Sequence, residues 1–156
     1  MLETAEPASD CSRRSRRGAL THRSVPSDST RRATVPKQLV LVVEDDPDIR
    51  EVTVLLLQHE GYDVVSAPDG SAALELLRKG VEPRGIVLDL MMPVMNGWDF
   101  RRHQLADPAL ASIPVIVVSA DPLAQRLASS PGVRDVFSKP VDIDELLRSL
   151  ERVVAN

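Results

Sequence analysis

From Gln38 onward the chain alternates short apolar runs with longer segments whose apolar residues recur every three or four positions. The runs QLVLVV (Gln38–Val43), YDVVSA (Tyr62–Ala67), GIVLD (Gly85–Asp89), IPVIVVSA (Ile113–Ala120) and RDVFS (Arg134–Ser138) predict five strands. The first, third and fourth are apolar on both faces, the pattern of a parallel sheet covered by helices. Between the strands, Asp48–His59 places Ile49, Val52 and Leu56 on the face expected to pack, and Ser71–Lys79 places Ala73, Leu76 and Leu77. Ile143–Val154 does the same with Ile143, Leu146, Leu147, Leu150 and Val154. A weaker helix, Gly97–Ala106, follows the Asn96-Gly97 turn signal, and a short one is expected near Leu123–Ser129. The alternation defines an α/β fold, a doubly wound (βα)5 arrangement around a parallel five-stranded sheet. Ligands of such sheets bind beyond the carboxyl ends of the strands.

Residues 1–37 have a different texture, rich in Ser, Thr, Arg and Pro and without an apolar period, so they are expected to form a disordered Arg/Ser-rich tail. They hold eight Arg or Lys against four acids, a local charge of +4 that leaves −8 of the formal net −4 on residues 38–156. The run SRRSRRG (Ser12–Gly18) has no interleaved aromatics, and reads as a solvated tail rather than a nucleic-acid arm. Cys11, the single cysteine, offers neither an internal disulfide nor a Cys-based metal site, which fits a reducing cytoplasm. No apolar run approaches the roughly 20 residues that span a bilayer, and no apolar core follows the basic N-terminus as in a secretory signal. A soluble cytoplasmic protein is expected.

The polar residues at the strand ends carry the candidate chemistry. Asp89 closes an apolar run, where an unpaired carboxylate is costly, so it needs water or a cation. Glu44, Asp45 and Asp46 follow the first strand, Ser119 ends the fourth and Lys139 ends the fifth. Glu44, Asp45 and Asp89 are expected to converge in one crevice, where a divalent cation relieves their repulsion and oxygen-only ligands favour Mg2+. Asp46, just before Pro47, is assigned instead to capping the first helix.

With LVVEDDPDIR, IVLDLMMPVMNG, VIVVSA and SKP in order, the segment from about Leu39 to Val153 resembles a response-regulator receiver domain of two-component signalling. The resemblance implies a flavodoxin-like strand order 2-1-3-4-5 and a receiver domain over residues 38–156. It also implies that Asp89 is the phosphoryl acceptor, an exposed nucleophile at a strand tip. By the same resemblance, Glu44, Asp45, Asp89 and the backbone carbonyl of Met91 hold Mg2+. Lys139 contacts the acceptor and the phosphoryl oxygens, the Lys139–Pro140 peptide is cis, and the Ser119 hydroxyl turns towards the phosphoryl group. The phosphoryl donor is then a histidine kinase or histidine phosphotransfer protein, and the output a protein partner, without direct DNA binding or membrane contact. The protein is thus expected to be a stand-alone phosphoacceptor, with no enzymatic activity beyond its own phosphorylation and dephosphorylation.

Two features depart from the family pattern. Only 20 positions separate Ser119 from Lys139, which shortens the fourth helix or its following loop, and Val136 stands where the family carries an aromatic residue. Two other functions compete with this reading: a phosphorylation-independent interaction module that keeps a silent acidic site, and an aspartyl-phosphate hydrolase. The hydrolase needs a second acid two positions beyond the nucleophile, where this chain has Met91.

Overall fold

The computed structural model describes residues 37–156, so the expectations for the remainder of the N-terminal tail, Cys11 included, lie outside the described residues. Five parallel strands form one sheet in the order β2-β1-β3-β4-β5: β1 (Leu39–Val43), β2 (Asp63–Ala67), β3 (Gly85–Leu88), β4 (Val115–Ser119) and β5 (Val133–Ser138). The helices are α1 (Pro47–His59), α2 (Gly70–Arg78), α3 (Gly97–Ala106) and α4 (Ile143–Val154), with a 3-10 helix at Ala124–Ser129 between β4 and β5.

Because side chains alternate along a strand, the central strands feed two cores. Leu41, Val43, Ile86, Leu88, Val115 and Val117 pack with α2 and α3 on one face. Val40, Val42, Val87, Ile116 and Val118 pack with Leu57 of α1 and with Leu146, Leu150 and Val153 of α4 on the other. Full burial of a side chain such as Leu57 stabilises by about 1.5–3 kcal/mol.

The expected packing face of α1 requires a correction. Ile49, Val52 and Leu56 are all exposed, at 43%, 56% and 36%, while Leu57 is the residue that reaches the core. The sequence offers two apolar faces on this helix, and the packing of Leu57 and Val54 against the sheet selects between them. Asp46 Oδ1 accepts the amides of Asp48 at 2.9 Å and Ile49 at 3.1 Å, so it caps α1 as expected. The segment expected as a short fourth helix is present as the 3-10 helix. Arg101 of α3 reaches the two residues that follow it, Ser130 and Pro131. It is 2% exposed, bonding the side chains of Gln104 and Ser130 and the carbonyl of Pro131. Its Nε has no hydrogen-bond partner among the described residues, and burial pulls its pKa down.

The loop from Asp89 to α3 contains one backbone outlier, Val94, with φ of 67° and 87% of its surface exposed. A left-handed conformation costs a β-branched residue about 1–2 kcal/mol, and exposed Val94 gains little packing in return. Val94→Gly is therefore expected to raise stability by about 1 kcal/mol, less the greater freedom of glycine in the unfolded chain, and urea melts check it.

Candidate functional site

Strand register builds the site. Val43 pairs with Leu88, so the next residue of each strand, Glu44 and Asp89, lie side by side at the carboxyl edge. Backbone bonds carry the ladder past the strand ends: Glu44 N–H donates to Ala67 O at 3.1 Å and Asp89 N–H to Val43 O at 3.0 Å. Likewise Lys139 N–H donates to Ser119 O at 3.1 Å, which brings the lysine back over the same edge ahead of a cis Lys139–Pro140 peptide.

The expected cluster is assembled. Lys139 Nζ lies 2.7 Å from Glu44 Oε2 and 3.2 Å from Asp89 Oδ2. Asp89 is not the exposed nucleophile expected of a strand tip: it is 4% exposed, because Lys139 covers one oxygen while the Met91 amide donates to the other at 3.2 Å. Glu44, Asp45 and Asp89 can each place an oxygen within 4.8 Å of the others, an all-oxygen set that suits a hard divalent cation. Burial pushes the Glu44 carboxyl above its ordinary pKa, and the Asp89 charge adds to this against the opposing pull of Lys139. For Lys139, burial acts downwards, but the Glu44 hydrogen bond and the charges of Asp89 and Glu44 outweigh it and raise its pKa.

Ser119 sits at the same edge, 1% exposed, and is not bonded to Asp89; its Oγ accepts the amide of Asp121 at 3.1 Å. Asp121 in turn accepts the indole N–H of Trp98, at the start of α3, at 3.2 Å. The sequence reading missed Trp98, because its partner lies 23 positions away and no local pattern links them. It also missed Arg50, whose Nη1 donates to the Glu44 carbonyl at 2.8 Å and the Asp45 carbonyl at 3.4 Å. Arg50 lies six residues beyond Glu44, which a one-turn offset from the Asp46 cap made findable. Beside the cluster, a groove of about 470 Å³ opens between α1 and α4, lined by Ile49, Thr53, Val118, Pro140 and Leu146 and reaching Glu44, Asp89 and Lys139.

A doubly wound parallel sheet with three carboxylates and a lysine at its carboxyl edge defines a class of α/β domains whose polar site lies beyond the strand ends. The response regulator receiver domain family matches residues 40–151, and the chain belongs to that family. It is 36% identical over 113 residues to the DNA-binding response regulator MtrA of Mycolicibacterium smegmatis, covering 71% of this chain and 48% of that protein. It is 32% identical over 119 residues to protein PilH of Pseudomonas aeruginosa, covering 74% of this chain and 97% of that one. The chain thus spans about half the length of the MtrA relative and nearly all of PilH. Among solved structures, a response regulator receiver protein from Pseudomonas putida superposes with a TM-score of 0.68 at 32% identity, covering 74% of this chain and 97% of that one. The response regulator TrrA of Thermotoga maritima, solved in complex with Mg(2+)-BeF, superposes with a TM-score of 0.66 at 27% identity, covering 74% and 98%. Receiver domains are signalling modules of two-component systems, and the flavodoxin-like order 2-1-3-4-5 expected from the resemblance is the order observed. No helix among the described residues is long and apolar enough to cross a membrane.

Proposed function

We propose that the protein accepts a phosphoryl group on Asp89 from a phosphohistidine of a histidine kinase or histidine phosphotransfer protein and signals that state to a protein partner. The observation that carries this reading is the Lys139 ammonium bridging Glu44 and Asp89, with Asp45 completing the carboxylate set. One Asp89 oxygen attacks phosphorus, an O–P bond forms, and the P–N bond breaks with its electron pair returning to the donor imidazole. Positioning and charge neutralisation supply most of the catalysis in such a transfer. Mg2+, held by Glu44, Asp45, Asp89 and the Met91 carbonyl, would neutralise charge on the phosphoryl oxygens, and the Mg(2+)-BeF complex of the Thermotoga relative supports that assignment. Lys139 would add a second positive charge beside Asp89, and the Ser119 hydroxyl, whose Oγ accepts the Asp121 amide, would turn to donate to a phosphoryl oxygen.

The apolar surface of α1 formed by Ile49, Val52 and Leu55, next to the groove that opens on Asp89, supports docking of the phosphohistidine protein there. At the position two beyond Asp89, Met91 offers no polar group to hold an attacking water, which argues for a long-lived acyl phosphate and against a hydrolase. The receiver domain occupies residues 38–156, with the preceding tail outside it.

Incubation with acetyl phosphate and Mg2+, followed by borohydride reduction and peptide mass spectrometry, tests the proposal. Homoserine is expected at position 89, with no incorporation when the divalent cation is chelated. Equal phosphoryl incorporation into Asp89→Asn and the wild type would overturn it.

A further inference from the structure

We infer that Asp121 is a positioning residue that couples the state of the Ser119 hydroxyl to two elements at once, through Trp98 to α3 and through Leu123 to the 3-10 helix. The inference rests on the phosphoacceptor reading of Asp89 and names the route by which that site reaches the rest of the fold.

Four bonds converge on this residue. Its amide donates to Ser119 Oγ at 3.1 Å, and its carbonyl accepts the amide of Ala124 at 3.0 Å. Its Oδ1 accepts the amide of Leu123 at 2.8 Å, which caps the turn leading into the 3-10 helix. Its Oδ2 accepts the Trp98 indole N–H at 3.2 Å, and Trp98 packs against the α2–α3 core. Asp121 is only partly buried, so it pivots without a cavity being opened behind it.

The alternative route is poor in this chain. Val136, on the core face of β5, is short, and a β-branched side chain is stiff at χ1, so no large rotamer swing is available there. Phe137 points to the opposite face, against the α1–α4 core. The 3-10 helix is tied to β5 by a long bond, Gln125 Nε2 to the Val136 carbonyl at 3.4 Å, and its i to i+3 bonds give it less intrinsic stability than an α-helix. When Ser119 turns towards a phosphoryl group, the Asp121 amide loses its acceptor. The residue then rotates, releasing the indole and the Leu123 cap together.

Trp98 is the only tryptophan, so the indole reports this step directly. Full-length protein is titrated with beryllofluoride in Mg2+, bound fluoride is followed by 19F NMR, and Trp98 emission is recorded at saturation. The wild type is expected to show a red shift as the indole N–H passes from carboxylate to water, with amide shifts across Ala124–Ser129. In Asp121→Ala, bound fluoride is still seen, but emission is already red-shifted and responds no further, and the Ala124–Ser129 shifts shrink. Asp121→Asn, which keeps an oxygen acceptor for the indole, restores both responses. A Trp98 response of wild-type size in Asp121→Ala would mean direct quenching by the bound group and would overturn the coupling. Bound fluoride in the wild type with unchanged Trp98 emission would overturn it too, leaving the acceptor role of Asp89 intact. Absence of bound fluoride in the wild type would overturn both.

Discussion

Lys139→Ala is expected to slow phosphorylation by acetyl phosphate about 10²–10³-fold, the range for removing one preorganised charge-stabilising group. The ammonium lies 2.7 Å from Glu44 and 3.2 Å from Asp89, and its side chain is only 21% exposed, so solvent screens the interaction weakly. It holds one oxygen of Asp89, and in the proposed transfer it would face the charge that develops on the phosphoryl oxygens. Mg2+ affinity is expected to stay the same or tighten, because the variant removes a positive charge from beside Glu44 and Asp89. Rapid-quench phosphorylation and calorimetric Mg2+ titration measure the two separately. Loss of Mg2+ binding in step with loss of phosphorylation would instead mean that the site had collapsed.

The pH behaviour of the pair follows from the directions of their shifts. The raised pKa of Lys139 keeps it protonated at neutral pH. Its contribution to stability is complete below the unfolded lysine value of about 10.4 and is lost as pH rises through the higher folded value. Glu44, an acid raised chiefly by burial, behaves oppositely: the folded state binds its proton more tightly than the unfolded state. Its ionisation therefore subtracts stability as pH climbs from its ordinary pKa through the raised one.

Gly97→Ala is expected to destabilise the domain by about 1–3 kcal/mol and to reduce phosphorylation as well, because overpacking here displaces the backbone of Asp89. A Cβ at position 97 would sit 2.4 Å from the Asp89 carbonyl oxygen and 2.8 Å from Leu90 Cα, and backbone atoms cannot swing aside as a side chain can. The Gly97 amide also donates to Leu90 O at 3.0 Å, which closes the loop that carries Met91 and Val94. Urea melts give the stability and intact mass gives the phosphoryl incorporation. Wild-type values for both would show that the loop yields without moving Asp89.

Much of this architecture was legible in the chain. Doubly apolar runs such as GIVLD and IPVIVVSA can be satisfied only between two layers of helices, and polar residues at the ends of strands of one parallel sheet must share an edge. Glu44, Asp89, Ser119 and Lys139 share the carboxyl edge for that reason, and the Asp46-Pro47 pair marks the start of α1. The departures came where a local pattern had two solutions. α1 carries apolar residues on two faces, and the one that packs, through Leu57, was not the face of Ile49 and Val52.

The layer order, the strand edge and the chemical types gathered there follow from the chain's local pattern, because alternation and helical period are properties of neighbouring residues. Long-range packing set the burial of Asp89, the partnering of Trp98 with Asp121, and the bonding of buried Arg101 to Ser130 and Pro131. Each depends on groups distant in sequence competing for one volume or one hydrogen bond, and such competition leaves no period along the chain.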